Sequence, residues 1–126
     1  MAADSKKTHQ MFVRESGYHR TFGRKAGKEA ERVLKLFENE LPKDTRPRRA
    51  IEAILAWSEG NRRLGMAEVR KLSLNAHAAA REARSVSATA AARAAGHAIA
   101  TWHVPTHALA VFSYSQKAIC ASKHFK

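Results

Sequence analysis

Three histidines lie close together in the C-terminal third of the chain: His97, His103 and His107, on either side of Pro105. His103 and His107 are four residues apart, the spacing that places two imidazoles on one helical face for a metal ion. The proline between them distorts this spacing, and no HExxH pattern accompanies it. Residues 84–126 contain no carboxylate, so further ligands would have to come from elsewhere: His77, Glu52, Glu68 or Glu82. We therefore expect no metal ion and no other cofactor.

Polar side chains also recur at every fourth residue along this stretch: Thr89, Arg93, His97 and Thr101. The preceding predicted helix carries a similar pair, His77 and Arg81. If the two helices pack side by side, they share a row of imidazole and guanidinium groups, which would bind an anion or an acidic partner surface. The alternative is that this row is only the solvated side of a helical hairpin.

Motifs of known catalytic chemistry are missing from the sequence. There is no paired-carboxylate arrangement, nucleophile elbow, phosphate-binding loop or CxxC pair. Cys120 has Lys117 and His124 nearby in the sequence, which would favour a reactive thiolate; the alternative is a small, inert hydrophobic side chain. We predict no catalytic residues and a non-enzymatic protein. A metal-dependent enzyme that uses His103 and His107 is the third hypothesis for function.

The composition is typical of one small intracellular domain. A chain of 126 residues is long enough for a single core without cross-links. Its one cysteine cannot form an internal disulfide, which favours a reducing compartment. The charged N-terminal sequence is unlike a secretory signal, and the alanine-rich stretch over residues 87–121 is too polar to span a membrane. We therefore expect a cytoplasmic protein that does not enter the membrane.

The chain is strongly basic, with 23 lysines and arginines against 11 acidic residues and a net charge of +12. Such a charge attracts acidic proteins and nucleic acids, although it can also serve only to keep a small domain soluble. Residues 1–24 are predicted to form a basic, partly flexible N-terminal arm. Aromatic side chains alternate there with lysines and arginines, a pattern found in nucleic-acid-binding segments.

A second basic group, Arg46, Arg48 and Arg49, lies at the start of a predicted helix. Backbone N–H groups are free at a helix start, so arginines there would complete an anion site. The alternative is that Asp44 and Glu52 neutralise the three arginines locally.

Hydrophobic periodicity predicts an all-α, single-domain bundle of about five helices. The clearest apolar stripe lies between about Lys25 and Leu41, with these residues on one face: Ala30, Val33, Leu34 and Phe37. The next helix is expected to be capped by Asp44 or Thr45, with Pro47 in its first turn.

The last part of the chain is predicted to form an alanine-rich helical hairpin. One helix runs from about Gly65 to Arg84, and the next begins after Ser87 as its cap. Pro105 either kinks this second helix or separates two helices, because proline removes a helical hydrogen bond. We favour one helix that ends near His103 and another that begins at Pro105.

Three segments together resemble one protein family: DTRPRRAIEAILAW (44–57), LNAHAAAREA (74–83) and AARAAGHAIATWHVPTHALA (91–110). They are similar to the putative immunity proteins, small helical domains of bacterial polymorphic-toxin systems. The resemblance implies that residues 25–122 form a helical immunity-protein-like domain, followed by a C-terminal tail at residues 123–126. It also implies a non-enzymatic, protein-binding function in which the domain neutralises a cognate toxin.

The resemblance and the polar row together single out candidate partner-binding residues: Asp44, Arg46, His77, Arg81, Arg93, His97, His103 and His107. Immunity proteins against nucleases are often acidic, so the basic charge of this chain makes a nuclease a less expected target. The second hypothesis is a basic helical protein that binds nucleic acid through the arm. Self-association through exposed alanine and aromatic faces is also predicted.

Overall fold

The computed structural model describes residues 16–124 and contains five helices. They are α1 (Gly17–Glu38), α2 (Arg46–Ser58), α3 (Met66–Glu82), α4 (Val86–Ala100) and α5 (His107–His124). The described residues form no strand, and the predicted all-α single-domain bundle with an alanine-rich hairpin is confirmed. Most of the predicted N-terminal arm, residues 1–15, and the end of the predicted tail, residues 125–126, lie outside the described part of the chain.

Helix α1 begins well before the predicted start near Lys25. Ser16 caps it, since its hydroxyl accepts a hydrogen bond from the backbone N–H of His19 at 3.1 Å. Gly23 and Gly27 lie within the helix, where a Cβ on Gly27 would come 2.6 Å from Leu55 Cδ2. These glycines therefore allow α1 and α2 to pack closely, and residues 17–24 belong to the helix although the sequence assigned them to the arm.

Large side chains fill the space between α1 and α2. Phe37, Ile51, Ile54 and Trp57 are each at most 1% exposed. The apolar stripe predicted for α1 is confirmed, because Ala30, Val33, Leu34 and Phe37 are all buried and Leu41 packs against the core. Burying one such large side chain contributes about 1.5–3 kcal/mol, so this helix pair supplies much of the core.

Helix α4 lies at the centre of the bundle and packs against each of the other four helices. A helix with neighbours on so many sides has little room for large side chains, and its buried residues are mostly alanine: Ala88, Ala90, Ala91, Ala92, Ala94, Ala95 and Ala98. The predicted close approach of α3 and α4 is confirmed, with Ala76, Ala79 and Ala80 of α3 also buried.

The ends of α4 differ in detail from the sequence prediction. Ser85, not Ser87, is the N-cap: its hydroxyl accepts from the backbone N–H of Ala88 at 3.1 Å. At the other end α4 stops at Ala100 with Thr101 as the C-cap, and α5 starts at His107. The predicted separation into two helices around Pro105 is confirmed, with a longer connecting turn than expected.

A search of the described residues for a helix long and apolar enough to cross a membrane finds none.

Candidate functional site

Three histidines from three different helices meet in the C-terminal half of the bundle. His77 of α3, His97 of α4 and His107 at the start of α5 form what we call the imidazole cluster. The ring centroids of His77 and His97 are 5.0 Å apart, and those of His97 and His107 are 5.1 Å apart. The cluster is half-buried, so it is neither a solvated helix face nor part of the apolar core.

Gly96 makes this arrangement possible. The ring of His77 crosses α4 directly over Gly96, and a Cβ at that position would lie 2.6 Å from His77 Nε2 and 2.8 Å from two ring carbons. No side chain fits between the helix and the ring. The glycine in the alanine-rich helix therefore marks the place where the imidazole of α3 is held against α4.

Hydrogen bonds fix the orientation of the rings. Arg93 NH1 lies 2.8 Å from His77 Nδ1, and because a guanidinium can only donate, His77 Nδ1 must be the acceptor. His97 Nδ1 lies 2.9 Å from His107 Nδ1, so one of these nitrogens donates and the other accepts. Tyr114 of α5 stacks on the His97 ring with centroids 5.3 Å apart and planes at 14°.

The electrostatic environment favours the neutral form of all three imidazoles. Burial, followed by the nearby charges of His97, Arg93, Arg81 and His107, lowers the pKa of His77 to about 4. Burial also lowers the pKa of His97 and that of His107, with His107 and Arg93 as further causes for the first and His103 for the second. Neutral rings beside an arginine leave the charge of that arginine uncompensated within the cluster.

The structure thus brings together only some of the polar-row residues and of the candidate partner-binding residues. His77, Arg93, His97 and His107 are in one connected group. Arg81 is exposed on α3, and His103 is exposed in the turn before α5. His103 lies in the turn and α5 begins only at His107, so the two imidazoles do not share one helix, as the proline between them led us to expect.

Thr89 and Thr101, the other members of the row, have different surroundings. Thr89 is half-buried and lines a groove between α4 and α5. Thr101 is fully buried, and its hydroxyl donates to the carbonyl of Ala98 at 2.6 Å. The row therefore does not continue as one exposed surface.

Asp44 and Arg46 belong to a separate group at the start of α2. Arg46 donates to both carboxylate oxygens of Asp44, at 2.7 Å from NH2 to Oδ2, and also binds Glu82 at the end of α3. The guanidinium of Arg46 lowers the pKa of Asp44. Thr45 occupies the N-cap position of α2 without a side-chain cap hydrogen bond, while Asp44 Oδ1 accepts from the backbone N–H of Arg46 at 3.1 Å.

The basic group at the start of α2 is largely neutralised. Asp44 and Glu82 bind Arg46, and Glu38 binds Arg48 at 2.7 and 2.5 Å. The acidic partners come mainly from other parts of the bundle rather than from Glu52 as the sequence alternative supposed. These ion pairs fix helices together and neutralise two of the three arginines, Arg46 and Arg48.

Sequence reasoning missed two buried or polar contacts that hold the site in place. His19 is 1% exposed, and its Nε2 lies 2.9 Å from the carbonyl oxygen of Thr101. Glu40 accepts from the backbone N–H groups of Arg84 and Ser85 at 2.6 and 3.0 Å. The signal for His19 is that it continues the apolar stripe of α1 at helical spacing. Nothing in the sequence around Glu40 indicates its partners.

Metal-ligating and nucleophilic side chains have the following places in the described part of the chain. Over residues 16–124, no three His, Cys, Asp or Glu side chains are arranged to bind a metal ion. Cys120 is exposed, and the Nε2 of Gln116 lies 3.6 Å from its sulfur. The observed chemistry of the site is hydrogen bonding by neutral imidazoles and one guanidinium.

Fold and site together define a small all-α domain with a half-buried cluster of imidazoles. In a comparison with protein families, the model described as Imm-5 like putative immunity protein matches residues 14–125. The chain therefore belongs to this immunity protein family, as the sequence resemblance predicted. No curated protein and no solved structure matches the chain significantly.

Proposed function

We propose that the protein is a non-enzymatic immunity protein that binds and neutralises a cognate toxin in the cytoplasm. The observation that carries the proposal is the family match, which spans residues 14–125 and so includes both the helical bundle and the imidazole cluster. A fold alone does not determine function, and the site geometry adds support because its polar groups are suited to binding rather than to bond cleavage.

The candidate residues divide into two roles in this proposal. Arg81, Arg93 and His103 offer exposed or half-exposed polar groups to a partner. His77, His97 and His107 have a positioning role, because their hydrogen bonds hold Arg93 and the start of α5 in place. Asp44 and Arg46 have a structural role. Arg46 pairs with Asp44 and with Glu82 of α3, and these ion pairs hold the start of α2 against the end of α3.

The experiment is affinity capture from the host lysate with the tagged full chain, divided into nuclease-treated and untreated halves. We expect one dominant protein that survives nuclease treatment and binds in a 1:1 complex. The charge reversal Arg81→Glu should weaken capture of that protein, whereas Lys43→Glu, an exposed site on the α1–α2 connection, serves as the control. Loss of all bound material after nuclease treatment would contradict the proposal and favour the nucleic-acid-binding hypothesis.

A further inference from the structure

A groove between α4 and α5 lies directly beside the imidazole cluster. It has a volume of about 300 Å³, and three basic side chains line it: Arg84, Arg93 and Lys117. Ser85, Thr89 and Tyr114 also line it, so three hydroxyl-bearing side chains accompany the three cations. No acidic residue is among its lining residues, which distinguishes it from the groove between α2 and α3, where Glu52 and Glu68 accompany the basic residues.

The positive charge of this groove is not cancelled by the fold. Among residues 16–124, salt bridges of Arg84, Arg93 and Lys117 are absent. Glu40 lies at the edge of the groove, where its two oxygens accept from the backbone N–H groups of Arg84 and Ser85. Its charge interacts with that of Arg84, so it offsets part of the positive charge of Arg84 and leaves that of Arg93 and Lys117. Residues 84–126 contain no carboxylate at all, so α4 and α5 bring no compensating charge.

The groups in the groove are held in position by the imidazole cluster. One N–H of Arg93 donates to His77 Nδ1, which leaves the rest of the guanidinium fork for a ligand. Tyr114 is stacked against His97, which fixes its ring at the groove wall. Groups fixed in this way lose less conformational entropy on binding than free side chains. The cluster therefore acts as the support of the groove.

We propose that this groove binds an acidic segment of the partner protein, with a carboxylate of the partner on Arg93 and further acidic side chains near Arg84 and Lys117. Guanidinium groups pair with carboxylates in a fork geometry that lysine lacks. Val86, which is 49% exposed at the groove edge, offers apolar contact next to the cations and favours a protein segment over a phosphate backbone. This inference rests on the proposed function, since it names the chemistry of the partner.

The direct test uses a peptide of six glutamates as the probe, titrated into the ¹⁵N-labelled full chain. We expect the largest amide shift changes at Thr89, Arg93, Tyr114 and Lys117. The double variant Arg84→Glu/Lys117→Glu should lose about tenfold or more in affinity, equivalent to at least ~1.4 kcal/mol. The control variant Arg63→Glu/Arg70→Glu changes the net charge equally at exposed residues outside the groove and should lose much less.

Three results would overturn the inference. The largest shifts could lie elsewhere, the control variant could lose as much affinity as the groove variant, or single-stranded DNA of six phosphates could bind this groove more tightly than the peptide. If Arg84→Glu unfolds the chain beside Glu40, Lys117→Glu alone, on the exposed side of α5, keeps the test decisive. Circular dichroism melting verifies that the variants are folded.

The same variants separate this inference from the proposed function. If the unaltered chain neutralises its captured partner and the groove variant does so equally well, the acidic-segment inference fails while the immunity function stands. If the unaltered chain neutralises no partner, the proposed function fails, whatever the peptide titration shows. If the groove variant loses both peptide binding and neutralisation, both proposals are supported.

Discussion

At the scale of single residues, the contact between His77 and Gly96 controls how closely α3 and α4 approach. The ring of His77 occupies the space that a side chain at position 96 would need. The ring cannot easily move away, because Arg93 binds its Nδ1 and His97 lies against its edge. Close packing in protein interiors transmits such a displacement to the neighbours. A change at Gly96 should therefore disturb the whole cluster.

We predict that Gly96→Ala destabilises the protein even though alanine is the better helix former. The helix propensity gain of about 1 kcal/mol is opposed by overpacking, which costs about 1–3 kcal/mol. Urea denaturation should therefore show a net loss. Gly17→Ala, where nothing lies within 4 Å of the added Cβ, should be neutral or slightly stabilising. In a protein that already carries His77→Ala, the change Gly96→Ala should cost less stability than it does in the unaltered chain. An equal cost in both would contradict the contact between His77 and Gly96.

A second prediction at the residue scale concerns the cap of α4. Ser85→Ala should lower the free energy of unfolding by about 1 kcal/mol, because the Ser85 hydroxyl accepts from Ala88 N–H. Ser87→Ala should have a smaller effect, since its hydroxyl is described only near that of Ser85, at 3.4 Å. Thermal or urea unfolding of the two variants checks this. Equal losses, or a larger loss for Ser87→Ala, would show that the cap is assigned to the wrong serine.

The identity of the N-cap residue of α4 is a feature that the sequence alone does not determine. Both are good N-cap residues by type, and they are two positions apart. The choice between them depends on Glu40, which binds the backbone at Arg84 and Ser85 from 44 and 45 residues away. A local propensity contains no information on a contact of that range, so the cap residue could not be selected from the sequence.

At the scale of elements, the imidazole cluster joins α3, α4 and α5 through uncharged groups. Protonation of any one of the three rings would place a positive charge next to Arg93 or another imidazole, with no carboxylate in the cluster to offset it. The folded state consequently favours the neutral rings, and the unfolded chain binds protons more readily. This difference makes the stability of the helix interfaces depend on pH.

We predict that the protein becomes less stable as the pH falls from 7 to 5. The pKa of His77 is about 4 in the folded protein, against an ordinary value of 6.5. Between these values the unfolded state binds more protons than the folded state. The contribution of the neutral His77 ring to the free energy of unfolding is therefore fully present above about pH 6.5 and decreases toward pH 4. After allowance for solvent screening, the loss attributable to His77 should be about 1–2 kcal/mol over the whole interval.

Denaturant unfolding at pH 7 and pH 5 measures this effect, with His77→Gln as the comparison variant. The variant should lose less stability than the unaltered chain between the two pH values. Glu29, Glu40 and Asp44 do not cause the change between pH 7 and pH 5. Their pKa values are lowered, so their stabilising effect is lost only in more acidic solution. Equal losses in both proteins would contradict a role for the neutral His77 ring.

The elements themselves were mostly predictable, because burial imposes a helical period on the sequence. The stripes of α1 and α2, the alanine faces of α3 and α4, and the break at Pro105 all follow from residue type and spacing. The early start of α1 did not follow, since Gly17 and Gly23 are typical helix interrupters. Their role depends on tertiary contact: a Cβ on Gly23 would lie 2.9 Å from Trp57, which no local pattern indicates.

At the scale of the whole molecule, positive charge and structural ion pairs are distributed differently. The ion pairs of Arg46 and Arg48 lie around the start of α2, where acidic residues from α1 and α3 meet them. The α4–α5 side has basic residues and no acidic ones. The groove beside the imidazole cluster accordingly has three basic side chains and no acidic one among its lining residues. Partner chemistry follows from this asymmetry and not from the total charge.

Self-association is predicted to use exposed alanine and aromatic faces, so the exposure of these side chains decides which of them can take part. The alanines of α4 are buried inside the bundle and cannot serve as a contact between copies. Exposed apolar side chains on α5 are Leu109 at 74% and Phe112 at 47%. Self-association remains a prediction, and light scattering coupled to size-exclusion chromatography measures it. A dimer that is lost on Phe112→Ser would assign it to α5, whereas a monomer at all concentrations would contradict it.

The measurement that tests the central claim most directly is neutralisation of the captured partner in living cells. The partner is expressed from an inducible promoter, with and without the full chain, and growth is recorded. An immunity function predicts that the partner alone arrests growth and that co-expression of the chain restores it through a 1:1 complex. A partner that is harmless alone, or a growth arrest that the chain does not relieve although it binds, would contradict the assignment of an immunity function.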